Sequence, residues 1–109
     1  MKPLQFRLLQ AREASDSARE EEHVAFADFL GTELQNVLAF DMLTEEITPA
    51  RVMDGVDAVL VGGSGAYGVT DTVPWMSQYI DCLGELAQQR FPIFASCFGF
   101  QGLAVAPVS

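Results

Sequence analysis

The side chain best suited to act as a catalytic group is the thiol of Cys97. It lies in the segment from Ala95 to Gln101, Ala-Ser-Cys-Phe-Gly-Phe-Gln. An apolar, strand-like run precedes the cysteine and a helix-like run follows it. Small residues, Ala95 and Gly99, stand two positions before and two after it, as a sharp strand-to-helix turn requires. In such a turn the helix start favours the thiolate, and the amide of Phe98 points to where an oxyanion would form. The pattern predicts a nucleophile elbow, and the alternative is a buried structural cysteine.

A glycine-rich segment, residues 62–68, is the second candidate. Glycines free the backbone to turn its amides toward a ligand, so a loop at the end of a strand is predicted to stabilise an anion. Gly63, Gly65 and Gly68 also match G-x-G-x-x-G. The next helix begins only at Pro74, and no acidic residue ends a strand about 20 positions later, so a dinucleotide site is not predicted. No lysine of the P-loop type follows, which excludes an NTP-binding loop.

The remaining candidates have simpler interpretations. His23, the only histidine, is predicted to be a partly buried member of an apolar helix stripe. Cys82 is predicted to be structural, Arg12 to be a solvated loop residue, and the acidic run 20–22 to be favoured by a helix dipole. One histidine and two cysteines cannot build a closed metal site, so neither a metal nor an organic cofactor is predicted.

The elements that must position these groups alternate along the chain. Residues 4–9, 37–42, 58–61 and 92–96 are predicted strands, and residues 18–34, 49–55, 74–90 and 98–106 are predicted helices. Ser17 and Glu20 form a capping-box pattern before the first helix, and Thr48 with Pro49 starts the second. This order predicts a parallel sheet with helices on both faces and a ligand site at the carboxyl ends of the strands.

Composition limits the classes of function. The chain has 109 residues, is 50% hydrophobic, and carries 6 basic and 15 acidic residues for a net charge of −9. These values predict one globular domain and disfavour binding to nucleic acid or to an anionic membrane surface. No apolar run approaches the roughly 18–20 residues of a membrane span, and no secretory signal is recognisable. Two cysteines make no disulfide framework, so the expected compartment is a reducing cytoplasm.

The two candidate segments together resemble the class I glutamine amidotransferases, the Cys-His-Glu type, and most closely the GMP synthase-like amidotransferases. Residues 59–64, Val-Leu-Val-Gly-Gly-Ser, are similar to the Gly-Gly loop of that family. Residues 92–101 are similar to its G-x-C-x-G-x-Q elbow, and residues 71–75 with the helix that follows match its layout. The resemblance implies a flavodoxin-like α/β fold.

Carried over residue by residue, the resemblance assigns roles to five positions. Cys97 would be the nucleophile that takes the γ-glutamyl group of glutamine as a thioester. The amides of Gly63 and Phe98 would form the oxyanion hole, and Gly62, Gly63 and Gln101 would contact the substrate. Ammonia would pass to a synthase domain or subunit.

The sequence also departs from the family. Ala95 replaces the usual glycine of the elbow, and Phe100 stands where the family has histidine or methionine. The histidine and glutamate partners of the nucleophile come later in a domain of about 190–240 residues, a usual size for one domain. Residues 1–109 are therefore predicted to be the N-terminal portion of one such domain, truncated after the elbow. The alternatives are a non-catalytic remnant or interaction module, and a related γ-glutamyl hydrolase.

Overall fold

The structure, a computed structural model, describes residues 3–13, 15–62 and 73–95. Within them the strands are β1 (Phe6–Gln10), β2 (Val37–Asp41), β3 (Ala58–Val61) and β4 (Ile93–Ala95). The α-helices are α1 (Ala18–Leu30), α2 (Pro49–Met53) and α3 (Pro74–Gln88), and a 3-10 turn, Leu34–Asn36, precedes β2. The predicted helix over residues 98–106 lies outside the described residues.

The four strands form one sheet in the order β2-β1-β3-β4, and every neighbouring pair is parallel. β3 is buried at all four of its residues, and β1 is buried at four of its five. Strands that are apolar on both faces belong in the middle of a parallel sheet, where helices cover both sides. The prediction of a flavodoxin-like α/β fold is confirmed.

Helices lie on both faces of this sheet and enclose two apolar clusters. On one face, α2 and α3 pack over alternate strand residues. The main members of that cluster are Leu9, Phe40, Val52, Val59, Val61, Tyr79, Leu83 and Leu86. On the other face α1 covers a smaller cluster, made of Phe6, Leu8, Ala27, Val37, Ala58 and Leu60. Adjacent residues of β1 and β3 thus enter opposite clusters, as the two-residue period of a strand requires. No helix in the described part of the chain is both long and apolar enough to cross a membrane.

The start of α1 differs from the predicted capping box. The side chain of Ser17 makes no capping hydrogen bond, and its backbone is already helical. Asp16 acts instead, because its Oδ1 accepts a hydrogen bond of 2.9 Å from the amide of Ala18. A carboxylate at this place satisfies a free amide and favours the positive end of the helix dipole.

The end and the apolar face of α1 also differ from prediction. The helix ends at Leu30 rather than at residue 34, because Gly31 adopts a left-handed conformation with φ 66°. Only Ala27 of this helix is fully buried, with Phe26 and Leu30 packed beside it. Phe29 is 85% exposed. The predicted amphipathic stripe is therefore narrow.

The short helix α2 follows its predicted start. Thr48 is extended, its side-chain oxygen accepts from the amide of Arg51 at 3.2 Å, and Pro49 occupies the first helical position. Proline suits that position because its missing N–H needs no partner there. The helix α3 also begins with a proline, Pro74, and ends two residues before the predicted boundary.

We expect Asp16→Ala to lower the free energy of unfolding by about 1 kcal/mol, because an amide of the first helical turn loses its acceptor. Ser17→Ala should change it by less than about 0.5 kcal/mol, since that side chain caps nothing. Urea unfolding followed by circular dichroism measures both. Asp16→Asn, which keeps a capping oxygen, is the matched control. A larger effect of Ser17→Ala than of Asp16→Ala would contradict the assignment.

Candidate functional site

The carboxyl edge of the sheet brings together the ends of the strands that precede the segments marked by sequence patterns. Leu9 of β1 pairs with Val61 of β3, and Val61 pairs with Ala95 of β4. Neighbouring strands are separated by about 4.8 Å, so β3, which precedes the glycine-rich segment, and β4, which precedes the cysteine-containing segment, end side by side. The convergence of these two chain paths is what the alternating pattern predicted.

Of the predicted site residues, the structure describes only Gly62. It follows β3 directly, and its N–H donates to the carbonyl oxygen of Leu9 at 3.1 Å. The other four, Gly63, Cys97, Phe98 and Gln101, lie outside the described residues. Their roles remain predictions.

A polar network that sequence patterns did not indicate lies at the same edge. Gln10, the last residue of β1, is only 2% exposed. Its Nε2 donates to the carbonyl oxygen of Arg19 at 2.7 Å and to Oε1 of Glu22 at 3.2 Å. Arg12 completes the network, because its Nε donates to Oε2 of Glu22 at 3.2 Å. Both carboxylate oxygens of Glu22 therefore have a donor.

This carboxylate lies against Gly62. A Cβ atom at position 62 would overlap the carboxylate of Glu22, whose atoms are the nearest to that point. The position accepts glycine because of this close approach, and not because of an unusual φ angle. Gly62, the first residue of the glycine-rich segment, is thus in contact with helix α1.

Two predictions about charged residues are corrected here. Arg12 is not a solvated loop side chain: it is 18% exposed and pairs with both Glu22 and Asp16. Glu22 is not simply favoured by the helix dipole, because its side chain is 11% exposed and held at the sheet edge. Its neighbours Glu20 and Glu21 are exposed, as the prediction requires. One sequence signal could have indicated the network: Gln10 is a polar residue at the end of an otherwise apolar run.

The imidazole of His23 is hydrogen-bonded to the amino end of β2. Its Nε2 is hydrogen-bonded to the carbonyl oxygen of Val37, the first residue of β2, so Nε2 carries a proton. At about 3.3 Å per residue, Val37 lies roughly 13 Å from the carboxyl end of its strand. His23 also lines a polar pocket of about 410 Å³, with Gln10, Arg19 and other residues of the α1 start. The prediction that it is a half-buried helix residue is confirmed.

Cys82 is the free cysteine within the described residues, and it is buried in the cluster beneath α3. Burial, and secondarily the charge of Glu85, raise the pKa of its thiol to about 12. A thiol with so high a pKa is protonated at neutral pH and makes a poor nucleophile. Its environment fits the predicted structural role.

Within residues 3–13, 15–62 and 73–95, no three His, Cys, Asp or Glu side chains are grouped so that they could hold a metal ion.

Comparison of the chain with protein-family models, curated proteins and solved structures finds no significant match. The resemblance to amidotransferases therefore depends on the residues of the two segments alone.

We expect Cys82 to resist iodoacetamide at pH 8 in the folded protein and to react once urea unfolds the chain. A pKa near 12 leaves roughly a thousandfold less thiolate than an ordinary cysteine has. Peptide mass spectrometry at timed intervals measures the rate at this one cysteine. Cys82→Ser provides the blank, and equal rates in the folded and unfolded protein would contradict the buried placement.

Proposed function

We propose that this chain carries the nucleophile and the oxyanion hole of a glutamine amidotransferase. The thiolate of Cys97 attacks the γ-carboxamide carbon of glutamine, and the amides of Gly63 and Phe98 hold the oxygen that becomes negative. The C–N bond then breaks, ammonia leaves and a γ-glutamyl thioester remains, which water hydrolyses to glutamate. Gly62 and Gln101 contact the substrate, and a synthase domain or subunit accepts the ammonia.

One observation supports this proposal above the others: the register of β3 and β4. Val61 and Ala95 are paired across the sheet. Gly63 and Cys97 each stand two residues beyond these partners along the chain. An oxyanion hole needs amide donors within about 3 Å of the developing charge, which requires the two segments to start close together. Adjacent parallel strands that end in register meet that requirement.

The nitrogen that leaves as ammonia needs one proton, and the obvious donor to consider is a histidine. A Cys nucleophile is ordinarily assisted by a general acid–base group, most often histidine. The single histidine of the sequence, His23, is hydrogen-bonded to Val37 at the start of β2. We therefore assign no acid–base role to it, and we expect its replacement to leave Cys97 reactivity unchanged.

We expect a chloroketone analogue of glutamine to label Cys97 at least roughly tenfold faster than Cys82 at pH 7.5, because only Cys97 would have a stabilised thiolate. Free glutamine should slow this labelling by occupying the site. Free asparagine should not, because the side chain of asparagine is one methylene shorter than that of glutamine. Intact-mass and peptide mass spectrometry measure the extent at each cysteine. Cys97→Ser and Cys82→Ser are the matched controls.

Two results would contradict the proposal. If Cys97 is labelled no faster than Cys82, Cys97 is not an activated nucleophile. If Cys97 is labelled fast but glutamine does not slow the labelling, Cys97 is a reactive thiol and glutamine is not the substrate. Labelling of His23→Gln at the unchanged rate is expected in either case.

A second candidate, a non-catalytic interaction module, is favoured by a different observation. β4 is the last strand of the described sheet, and Phe94 within it is 52% exposed. Leu60, its partner in register, is fully buried under the α1 side of the sheet. An apolar residue exposed on a terminal strand is a pairing surface for another chain.

The interaction module predicts that the wild-type chain associates and that Phe94→Ser reduces the association. Light scattering at several protein concentrations measures the mass of both proteins. Leu38→Ser, on the opposite terminal strand, is the control for a general loss of apolar surface. A wild-type monomer at all concentrations would remove this candidate.

A further inference from the structure

We propose that Glu22 is a positioning residue that fixes the backbone of Gly62, and with it the start of the glycine-rich segment. The contact itself is independent of any reaction. Its consequence for catalysis depends on the proposed amidotransferase function.

The carboxylate of Glu22 has little freedom to move. Gln10 donates to Oε1 and Arg12 donates to Oε2, each at 3.2 Å. Gln10 is itself held by the carbonyl oxygen of Arg19, in the first turn of α1. The carboxylate is therefore tied both to the end of β1 and to its own helix. Charge-assisted bonds of this kind are stronger than neutral ones when the groups are mostly buried.

Gly62 is fixed from two sides. Its N–H donates to the carbonyl oxygen of Leu9, which continues the pairing of β3 with β1. The carboxylate of Glu22 occupies the space where a side chain at position 62 would begin. Contact between a Cα–H group and an oxygen adds only a weak attraction. The main effect is steric, because the backbone of Gly62 is confined between the carbonyl of Leu9 and the carboxylate of Glu22.

This placement matters for the amide of Gly63, which is bonded covalently to the carbonyl carbon of Gly62. Oxyanion donors act within a narrow range of about 2.7–3.1 Å, so a small displacement of Gly62 would weaken that hydrogen bond. Arg12 also has a part, since its guanidinium balances the charge of Glu22. An uncompensated carboxylate at this edge would oppose a developing oxyanion.

The contact is tested by a double-mutant cycle between Gly62→Ala and Glu22→Ala. In the wild-type background, Gly62→Ala should lower the equilibrium constant for folding at least roughly tenfold, and in the Glu22→Ala background by less than about threefold. Glu21→Ala, which removes an exposed carboxylate one residue away, is the control background and should leave the cost unchanged. Urea unfolding gives all the constants. Equal costs in the Glu22→Ala and Glu21→Ala backgrounds would overturn the inference.

The positioning role is tested by a ratio of two rates at Cys97. The thiolate adds to the ketone of the glutamine chloroketone and forms an oxyanion before chloride leaves. With iodoacetamide the thiolate displaces iodide directly and no oxyanion forms. We expect Glu22→Ala, which removes the group that holds Gly62 in place, to lower the rate with the chloroketone by roughly tenfold and to leave the rate with iodoacetamide unchanged. Glu21→Ala should change neither. A purely structural role for Glu22 would change both rates together or neither.

The outcomes separate this inference from the proposed function. If Cys97 prefers the chloroketone in the wild type and Glu22→Ala behaves as Glu21→Ala does, the positioning role is wrong and the amidotransferase proposal stands. If the wild type shows no such preference, the amidotransferase proposal fails. The mutant cycle then still decides whether Glu22 fixes Gly62.

Discussion

Burial of β1 and β3 on both faces is the constraint from which the rest of this structure follows. β3 is apolar at all four residues, and β1 is buried at four of its five, so both strands have to be covered on two sides. Parallel neighbours cannot be joined by a tight turn, and the crossover connections supply the helices that give that cover. As a result every strand ends at the same edge of the sheet. β1, β3 and β4 therefore end beside one another at that edge.

The polar network at that edge is a consequence of how β1 ends. Gln10 follows two fully buried leucines and is itself buried, so its amide would cost free energy without partners. Arg19 and Glu22 of the following helix provide these partners, and Arg12 balances the charge. The same contacts hold helix α1 against the start of the glycine-rich segment at Gly62. The contact of α1 with Gly62 therefore shares its hydrogen bonds with the buried amide of Gln10, whereas the thiol of Cys82 is buried in the apolar cluster beneath α3.

Much of the fold could be predicted from local patterns. Residues 58–61 are an uninterrupted apolar run, and β3 has those bounds. Thr48 with Pro49 predicted the start of α2, because capping is a local interaction between neighbours. The start of α1 at residue 18 was predicted, but its capping side chain was not, because Ser17 and Asp16 can both cap and Asp16 is the one that does. Of the candidate site, Gly62 alone could be followed into the structure, and Cys97 with its proposed oxyanion donors remains a prediction.

By itself the sequence determined the class of fold, the order of its elements and the two segments that must leave the sheet together. Each of these depends on periodicity, turn residues and apolar runs, which are properties of residues close along the chain. Only the tertiary structure decided that Glu22 and Arg12 form a buried pair beside Gly62, and that His23 is bound to the far end of β2. Residues 12, 22 and 62 share no local pattern. Their contacts arise because strands β1 and β3 are paired and the first turns of helix α1 lie against the end of β1.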